Sequence, residues 1–161
     1  RYPAIDTLDS YSKYLEYPEF EKFASANISA TWVRSVNEVR NMLIRGRETA
    51  EQIDILGDDG VPVDYHVIYW KSELIDFVIL QQDAFDEIDG STSMKRQKHM
   101  LESIIRIVKS DFDFDSFNEV NPYFKRLINT YKQMNYTEFL SEDFKKYESE
   151  VEKILAERIK K

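Results

Sequence analysis

The chain has 161 residues, of which 42% are hydrophobic and 32% are charged, and its formal net charge is −8. This length and composition are typical of one globular domain with a core of its own, and they exclude a disordered chain. The acidic balance, with basic residues interleaved among acids, argues against a surface that follows nucleic-acid phosphates. Cysteine is absent, which excludes disulfides, thiolate metal sites and a thiol nucleophile. No apolar stretch approaches the roughly 20 residues that span a bilayer.

Residues 1–29 are predicted to form an extended, irregular arm. Pro3 and Pro18 favour an extended conformation in the residues that precede them. Aromatic side chains are dense in this stretch, and we expect them to hold the arm against a core: Tyr2, Tyr11, Tyr14, Tyr17, Phe20 and Phe23. The chain is therefore divided into an arm, 1–29, and a helical domain, 30–161.

The helical domain is predicted to begin with two long helices. Apolar residues recur three, four or seven positions apart between 30 and 56, which is the pattern of one buried helix face. Thr31 is the expected N-cap of this first helix, and Gly57 is its expected stop. Asp64 is the expected cap of a second helix, which ends near Gln81 or Gln82.

Three further helices are predicted in the remainder. One covers about 94–110, and Asn121–Pro122 is predicted to open the next, as a cap followed by proline at the first helical position. The last begins near Thr137 or Ser141 and ends in a basic segment that suits the helix dipole. The predicted fold is thus all-α: a bundle of about five helices with an extended N-terminal arm.

The sequence offers no catalytic or metal-binding residues. It lacks the Gly-x-x-x-x-Gly-Lys-Ser/Thr loop that cradles a triphosphate. His66 and His99 have neither the Glu-x-x-His spacing of di-iron bundles nor a second histidine four positions on, and they are interpreted as structural or surface residues. No carboxylate pair stands out as a general acid and base, which disfavours a free-standing enzyme.

The segment from Asp111 to Pro122 briefly resembles a calcium loop. Its first, third and fifth positions are aspartates. Ser116, however, stands where glycine must make the sharp turn, and Pro122 stands where the bidentate glutamate is needed. Calcium binding is therefore rejected. The phenylalanines of this connector are predicted to anchor it on the core: Phe112, Phe114 and Phe117.

The stretch "LIDFVILQQDAFDEIDGSTS", residues 74–93, places a large aromatic side chain where a helix has just ended. Phe85 is flanked there by amides and acids. One interpretation is a hydrophobic anchor for a loop, since most aromatic side chains are buried. The other is a ring that packs on a ligand. Gln81 and Gln82, where the helix ends, can cap helix carbonyls, because an amide both donates and accepts.

Two motifs resemble the catalytic subunits of rotary ATPases. "RYPAIDTLDSYSKY", from Arg1, resembles Tyr-Pro-Ala-Val-Asp-Pro-Leu-Asp-Ser of F-type beta subunits and Phe-Pro-Ala-Ile-Asn-Trp of V/A-type A subunits. "LQQDAFDEIDGSTSMKRQKHML", from Leu80, is similar to the V/A-type pattern Leu-Gln-Gln-Asn-Ala-Phe-x-x-Val-Asp-x-x-x-Ser, followed by a helix with Gln-x-x-Met-Leu. Tyr2 replaces the usual Phe, and Asp83 replaces Asn. The chain resembles the C-terminal part of the catalytic chain of V/A-type ATPases.

The resemblance implies that two aromatic rings form an adenine pocket. The residues expected to bind ATP or ADP are Tyr2, Gln81, Gln82, Ala84 and Phe85. Stacking of a base on a ring is worth roughly 1–3 kcal/mol, and a small residue at 84 would let the base approach. Tyr2 has an alternative interpretation as an anchor of the arm.

The resemblance also implies that catalysis lies in an upstream domain with the P-loop, the Mg²⁺ ligand and the water-positioning acid. The implied partners are the central stalk and the noncatalytic B subunit, on the cytoplasmic face of a membrane, with no direct membrane insertion. The isolated chain is expected to be inactive and monomeric or weakly associated. The alternative, which fits the acidic helical composition equally well, is an interaction or scaffold domain that binds no nucleotide.

Overall fold

A computed structural model describes residues 6–10 and 13–160. These residues contain six α-helices, and their β-structure is confined to one isolated bridge between Phe112 and Ile159. The predicted all-α fold is confirmed. The helices are α1 (Pro18–Asn27), α2 (Trp32–Leu56), α3 (Val63–Ile75), α4 (Met94–Lys109), α5 (Phe117–Asn135) and α6 (Glu142–Ala156).

Helix α1 lies within the stretch predicted to be irregular, so that prediction was wrong for residues 18–27. Tyr17 is extended, with φ −84° and ψ 126°, as expected for a residue before proline. Pro18 then occupies the first turn, where its missing N–H costs nothing, and Glu19 and Glu21 suit the positive end of the helix dipole. Ala24 is fully buried and fixes the helix to its neighbours.

The bundle is built around α5, which contributes more fully buried large side chains than any other helix of the described chain. Its apolar residues recur every three or four positions, so one face is continuous and meets both α3 and α6. Helix α2 packs along α3 and α4 on the other side. The fully buried side chains of α5 are Val120, Phe124, Leu127, Tyr131 and Met134.

Helix α5 begins earlier than predicted. Ser116 is its N-cap and accepts a hydrogen bond from the Asn118 N–H at 3.3 Å. Glu119 reaches back to accept from the Asp115 N–H at 3.2 Å, which completes a variant of the capping box. Pro122 therefore lies inside the helix. The apolar face that starts at Val120 outweighs the hydrogen bond that proline removes.

The predicted ends of the other helices agree with the structure in part. Gly57 ends α2 with φ +80°, and Ser141 caps α6 by accepting from the Phe144 N–H at 3.1 Å. Thr31 precedes α2 but makes no side-chain capping bond. Asp64 was wrongly predicted as a cap, because α3 already begins at Val63.

The connector between α4 and α5 lies against the core through its rings. Phe112 is buried and Phe114 packs on the same cluster, with 6.1 Å between the two ring centroids. The Asp113 N–H donates to the Arg158 carbonyl at 2.9 Å, and the Lys160 N–H donates to the Asp111 carbonyl at 2.9 Å. The prediction that phenylalanines anchor the connector is confirmed for Phe112 and Phe114, whereas Phe117 is the first residue of α5 and stacks on His66. None of the helices in residues 6–10 and 13–160 combines the length and the apolar character that a membrane span requires.

Candidate functional site

The loop between α3 and α4 presents Phe85 at its tip. Helix α3 ends in a π turn, Asp76–Leu80, and the Gln81 N–H then donates to the Asp76 carbonyl at 2.9 Å. The Phe85 side chain is 100% exposed. The interpretation of Phe85 as a buried anchor is therefore wrong, and the ring is free to pack on something outside the chain.

Three aspartates fix the backbone of this loop, which we call the Phe85 loop (residues 81–93). Asp83 Oδ1 accepts from the Phe85 N–H at 3.0 Å. Asp86 Oδ1 accepts from the N–H groups of Ile88 and Asp89 at 2.9 and 2.8 Å. Asp89 Oδ2 accepts from the Asp83 N–H at 2.7 Å, so the start and end of the tip are joined. Short aspartate turns of this kind hold a loop without secondary structure.

Both glutamines have partners inside the chain. Gln81 Nε2 donates to Asp76 Oδ2 at 2.5 Å. Gln82 Nε2 donates to the Asp89 carbonyl at 3.1 Å and to Thr92 Oγ1 at 3.2 Å. These acceptors are a carboxylate and loop atoms, so neither amide nitrogen bonds a helix carbonyl. Ala84 is exposed beside Phe85 and presents only a methyl group.

Residues 6–9 of the arm lie against α2 and near the π turn that precedes the Phe85 loop. Arg47 Nη2 donates to both carboxylate oxygens of Asp6 at 2.7 Å. Hydrogen bonds from the Asp9 and Leu8 N–H groups, then the one from Arg47, lower the pKa of Asp6 to about 2. Thr7 and Leu8 line a cavity of about 310 Å³ together with Asp76, the residue that accepts from Gln81. Tyr2 itself lies outside the described residues.

Behind the loop lies a buried charge pair that the sequence reasoning did not identify. Asp89 and Arg96 are only 5% and 4% exposed. Burial raises the pKa of Asp89, whereas the hydrogen bond from Asp83 and the charge of Arg96 lower it. Burial likewise lowers the pKa of Arg96, opposed by Asp89 and Asp86. The sequence does contain one indication of a structured acidic loop, an aspartate at every third position: 83, 86 and 89.

Asp89 and Arg96 face a cavity of about 290 Å³ between the loop, α2 and α4. Its walls are mainly apolar and include Trp32 and Val78, and Gln82 lies at the same cavity. The Phe85 loop thus lies over a cavity whose walls combine charged side chains with apolar side chains of the core, including Val78.

The histidines have structural partners, as predicted. His66 Nε2 lies 3.1 Å from the Asp58 carbonyl, and its ring stacks on Phe117 with 5.1 Å between centroids. His99 Nε2 lies 2.5 Å from Glu148 Oε1 and joins α4 to α6. Within the described ranges, no group of three or more His, Asp or Glu side chains could hold a metal ion.

A comparison with family models identifies the family of this chain. Residues 21–114, more than half of the chain, match the model described as the C-terminal domain of V and A type ATP synthase. The chain belongs to this family. The family predicted from two short motifs is thereby confirmed, and the matched range includes the whole Phe85 loop.

Curated relatives extend the match over the full chain. The V-type ATP synthase alpha chain of Protochlamydia amoebophila is 34% identical over 161 residues, which is 100% of this chain and 27% of that protein. The V-type ATP synthase alpha chain of Treponema denticola is 34% identical over 158 residues, 98% of this chain and 25% of that protein. The chain spans about a quarter of the length of these relatives. It is similar to their C-terminal domain, and the family context is that of an ATP synthase.

Proposed function

We propose that this chain is the C-terminal helical part of the catalytic subunit of a V/A-type ATPase, where it contributes the adenine side of the nucleotide site. The observation that carries the proposal is the fully exposed Phe85 ring, held by aspartate turns within the matched family domain. A large apolar ring on a fixed loop loses little conformational freedom when a flat ligand stacks on it. Any purine base offers such a π-face.

The neighbours of Phe85 support the same role. Ala84 leaves room for a base beside the ring. Gln81 and Gln82 already use their amide nitrogens within the chain, so their amide oxygens are the groups that would accept from a purine amino group. Asp83, Asp86 and Asp89 act on the loop backbone and keep its shape.

Tyr2 is proposed as the second ring of the pocket. The support is indirect: Arg47 binds Asp6, and the cavity lined by Thr7 and Leu8 includes Asp76, the first residue of the π turn that precedes the Phe85 loop. Tyr2 lies four positions before Asp6, a reach of about 13–14 Å when extended.

The proposed roles of the upstream domain, the B subunit and the central stalk follow from the family and rest on the same proposal. Phosphoryl chemistry would be performed by a P-loop domain upstream, with Mg²⁺ held there and an arginine supplied by the noncatalytic B subunit. The helical bundle would pass domain closure to the central stalk as a rigid body, at the cytoplasmic face of a membrane across which ions are moved. ATP and ADP are the proposed ligands.

The test uses a full-length subunit that contains this chain. Phe85→Ala should weaken MgATP binding by about 5- to 150-fold, the equivalent of about 1–3 kcal/mol of stacking. Tripolyphosphate, which has no base, should bind the variant and the unchanged subunit equally. Glu87→Ala, an exposed change two residues away, is the matched control and should leave ATP affinity unchanged.

The competing function is a scaffold or adaptor domain without nucleotide. Equal ATP affinities for Phe85→Ala and Glu87→Ala would support it and overturn the adenine site. Catalysis is tested separately with this chain alone, which should hydrolyse no ATP above background. Turnover by the pure chain that a point change within it abolishes would show that chemistry resides here after all.

A further inference from the structure

The cavity of about 290 Å³ behind the Phe85 loop, which we call the Asp89 cavity, has apolar walls and one polar end. Its volume lies near the lower limit of about 300 Å³ for pockets that hold small molecules. Neither Phe85 nor Ala84 lines it, so a ligand held here would not depend on the proposed adenine pocket. The walls include five apolar side chains from α2 and α4: Trp32, Val36, Val39, Met100 and Leu101.

Three amides at the polar end already use their nitrogens inside the chain. Gln82 Nε2 donates to the Asp89 carbonyl at 3.1 Å, and Gln97 Nε2 donates to a loop carbonyl at 2.9 Å. Asn135 Nδ2 donates to the Val78 carbonyl at 3.0 Å. Within residues 6–10 and 13–160, the oxygens of these three amides accept no hydrogen bond. The amides therefore offer acceptors to the cavity and few donors.

Arg96 also directs its hydrogen bonds to the protein. Its two terminal nitrogens donate to the carbonyls of Met134, Asn135 and Thr137 at 3.0, 2.7 and 2.9 Å. Its charge lowers the pKa of Asp89, but in the described part of the chain the two side chains share no hydrogen bond. The guanidinium thus caps the end of α5 and leaves the nearby carboxylate without a direct cationic partner.

Asp89 is the charged acceptor of the Asp89 cavity. Its side chain is only 5% exposed, and Oδ2 accepts from the Asp83 N–H at 2.7 Å. Oδ1 accepts no hydrogen bond from the residues that the structure describes. Among those residues, no side-chain oxygen is both fully enclosed and without a partner, so Oδ1 keeps accessible surface. Burial raises the pKa of Asp89, which is the direction expected for a carboxylate whose charge is incompletely compensated.

We propose that the Asp89 cavity is a binding site for a small organic cation with an apolar body. An ammonium or amidinium group would donate to Asp89 Oδ1 and to the amide oxygens of Gln82 and Asn135, while the body would lie against the apolar walls. Such a group supplies the N–H donors that these oxygens lack, and its charge offsets the burial of the carboxylate. Burial of the apolar body adds the hydrophobic contribution.

Three probes with the same benzyl body test the chemistry: benzylamine, benzyl alcohol and phenylacetate, which at about pH 7 are cationic, neutral and anionic. Binding to the 161-residue chain is followed by NMR through the indole N–H signals of its two tryptophans. Benzylamine should shift the Trp32 signal saturably, with a dissociation constant of about 1 mM. Trp70 lines a different cavity, so its signal should not move. The alcohol and the acid should bind about tenfold more weakly or less well still.

Three substitutions test the location. Asp89→Asn keeps an acceptor for the Asp83 N–H but removes the charge, and it should weaken benzylamine binding by about tenfold or more. Asp86→Asn removes the same charge from the same loop at a position that does not line the cavity, and it should change the affinity by at most about threefold. Val36→Phe fills the cavity without any change of charge and should abolish binding of the cation.

Each contrary result overturns the proposal. Absence of a saturable Trp32 shift, or a larger shift of Trp70, would exclude this cavity as the site. Phenylacetate binding as tightly as benzylamine would make Arg96 the anchor and reverse the ligand class. Equal losses in Asp89→Asn and Asp86→Asn would indicate general attraction to an acidic surface. Should Asp89→Asn lower the unfolding midpoint, the probe series and Val36→Phe still decide the outcome.

Discussion

Gly46 on α2 faces Ser72 on α3 so closely that a Cβ at position 46 would lie 2.1 Å from both the Cβ and the Oγ of Ser72. The two helices touch there through backbone and a hydroxymethyl group. Gly46→Ala should therefore destabilise the fold by about 1–3 kcal/mol, the cost of overpacking, although alanine is the better helix former. Urea unfolding with a two-state fit measures the change in the free energy of unfolding.

A second variant distinguishes overpacking from helix propensity. In a Ser72→Gly background the clash is removed, so Gly46→Ala should become neutral or stabilise by up to about 1 kcal/mol. A loss of the same size in both backgrounds would contradict the close-contact explanation.

Lys71 provides a buried cap for the end of α4. Its ammonium donates to the carbonyls of Val108 and Ser110 at 3.0 and 2.7 Å and lies 5.3 Å from the centroid of the Phe112 ring. Lys71→Met keeps the aliphatic length but leaves two carbonyls without this donor. We expect a loss of about 1–3 kcal/mol in the free energy of unfolding. Lys145→Met, at an exposed position, should stay within about 0.5 kcal/mol of the unchanged protein.

Tyr131 should make the protein sensitive to alkaline pH. Burial raises the pKa of Tyr131 from 10.0 to about 12, in part offset by its hydrogen bond with Ser103. The folded state holds the phenol proton of Tyr131 more tightly than the unfolded state does. The resulting contribution to the free energy of unfolding is therefore complete below pH 10 and is lost as pH rises toward 12. The slope from one such group approaches about 1.4 kcal/mol per pH unit.

Tyr131→Phe should reduce that alkaline slope. The variant loses the hydroxyl that bonds Ser103, which costs about 1 kcal/mol at any pH, but it has no phenol to titrate. Unfolding by urea at about pH 8 and about pH 11.5, on either side of the rise in slope, gives the comparison. If the free energy of unfolding fell equally between these two pH values in the variant and in the unchanged protein, Tyr131 would not be the group responsible for the alkaline slope.

Leu140 carries backbone strain just before α6. Its φ is +65°, in the left-handed region, and its side chain is 53% exposed. A non-glycine residue costs roughly 1–2 kcal/mol of stability in this conformation. Glycine avoids that cost but destabilises the fold by about 0.5–1 kcal/mol, because it loses more conformational entropy on folding. Leu140→Gly should therefore raise stability by up to about 1 kcal/mol, seen as a higher thermal midpoint. Leu140→Ala retains the strain, and a matching increase there would count against this explanation.

Helix ends with local signals were predictable from the sequence. Gly57 and Ser141 act where their chemistry indicates, because a left-handed stop and a hydroxyl cap depend only on adjacent residues. The start of α5 was misplaced because Asn121–Pro122 is a strong local signal. The true signal, Ser116 followed by Glu119, is a capping box that the sequence also contains.

The site was predictable only in part. The sequence leaves two interpretations of Phe85 open, a hydrophobic anchor and a ring that packs on a ligand, and the structure excludes the first because the ring is fully exposed. The contacts of Arg96 with the end of α5 join residues 38 to 41 positions apart, and no local pattern specifies such a pairing. Asn135 meets Val78 across 57 positions for the same reason. These connections depend on how α4 and α5 pack.

The π turn at Asp76–Leu80 has a consequence for how this segment tolerates change in length. A π turn holds one more residue than the α-helix it interrupts, and each helical residue advances the direction of the chain by about 100°. Deleting a single residue there, even with every side chain of the tip retained, would let the helix close normally and rotate the aromatic tip by about a quarter of a turn about the axis of α3. Spacing along the backbone, as much as side-chain identity, therefore determines where that ring points.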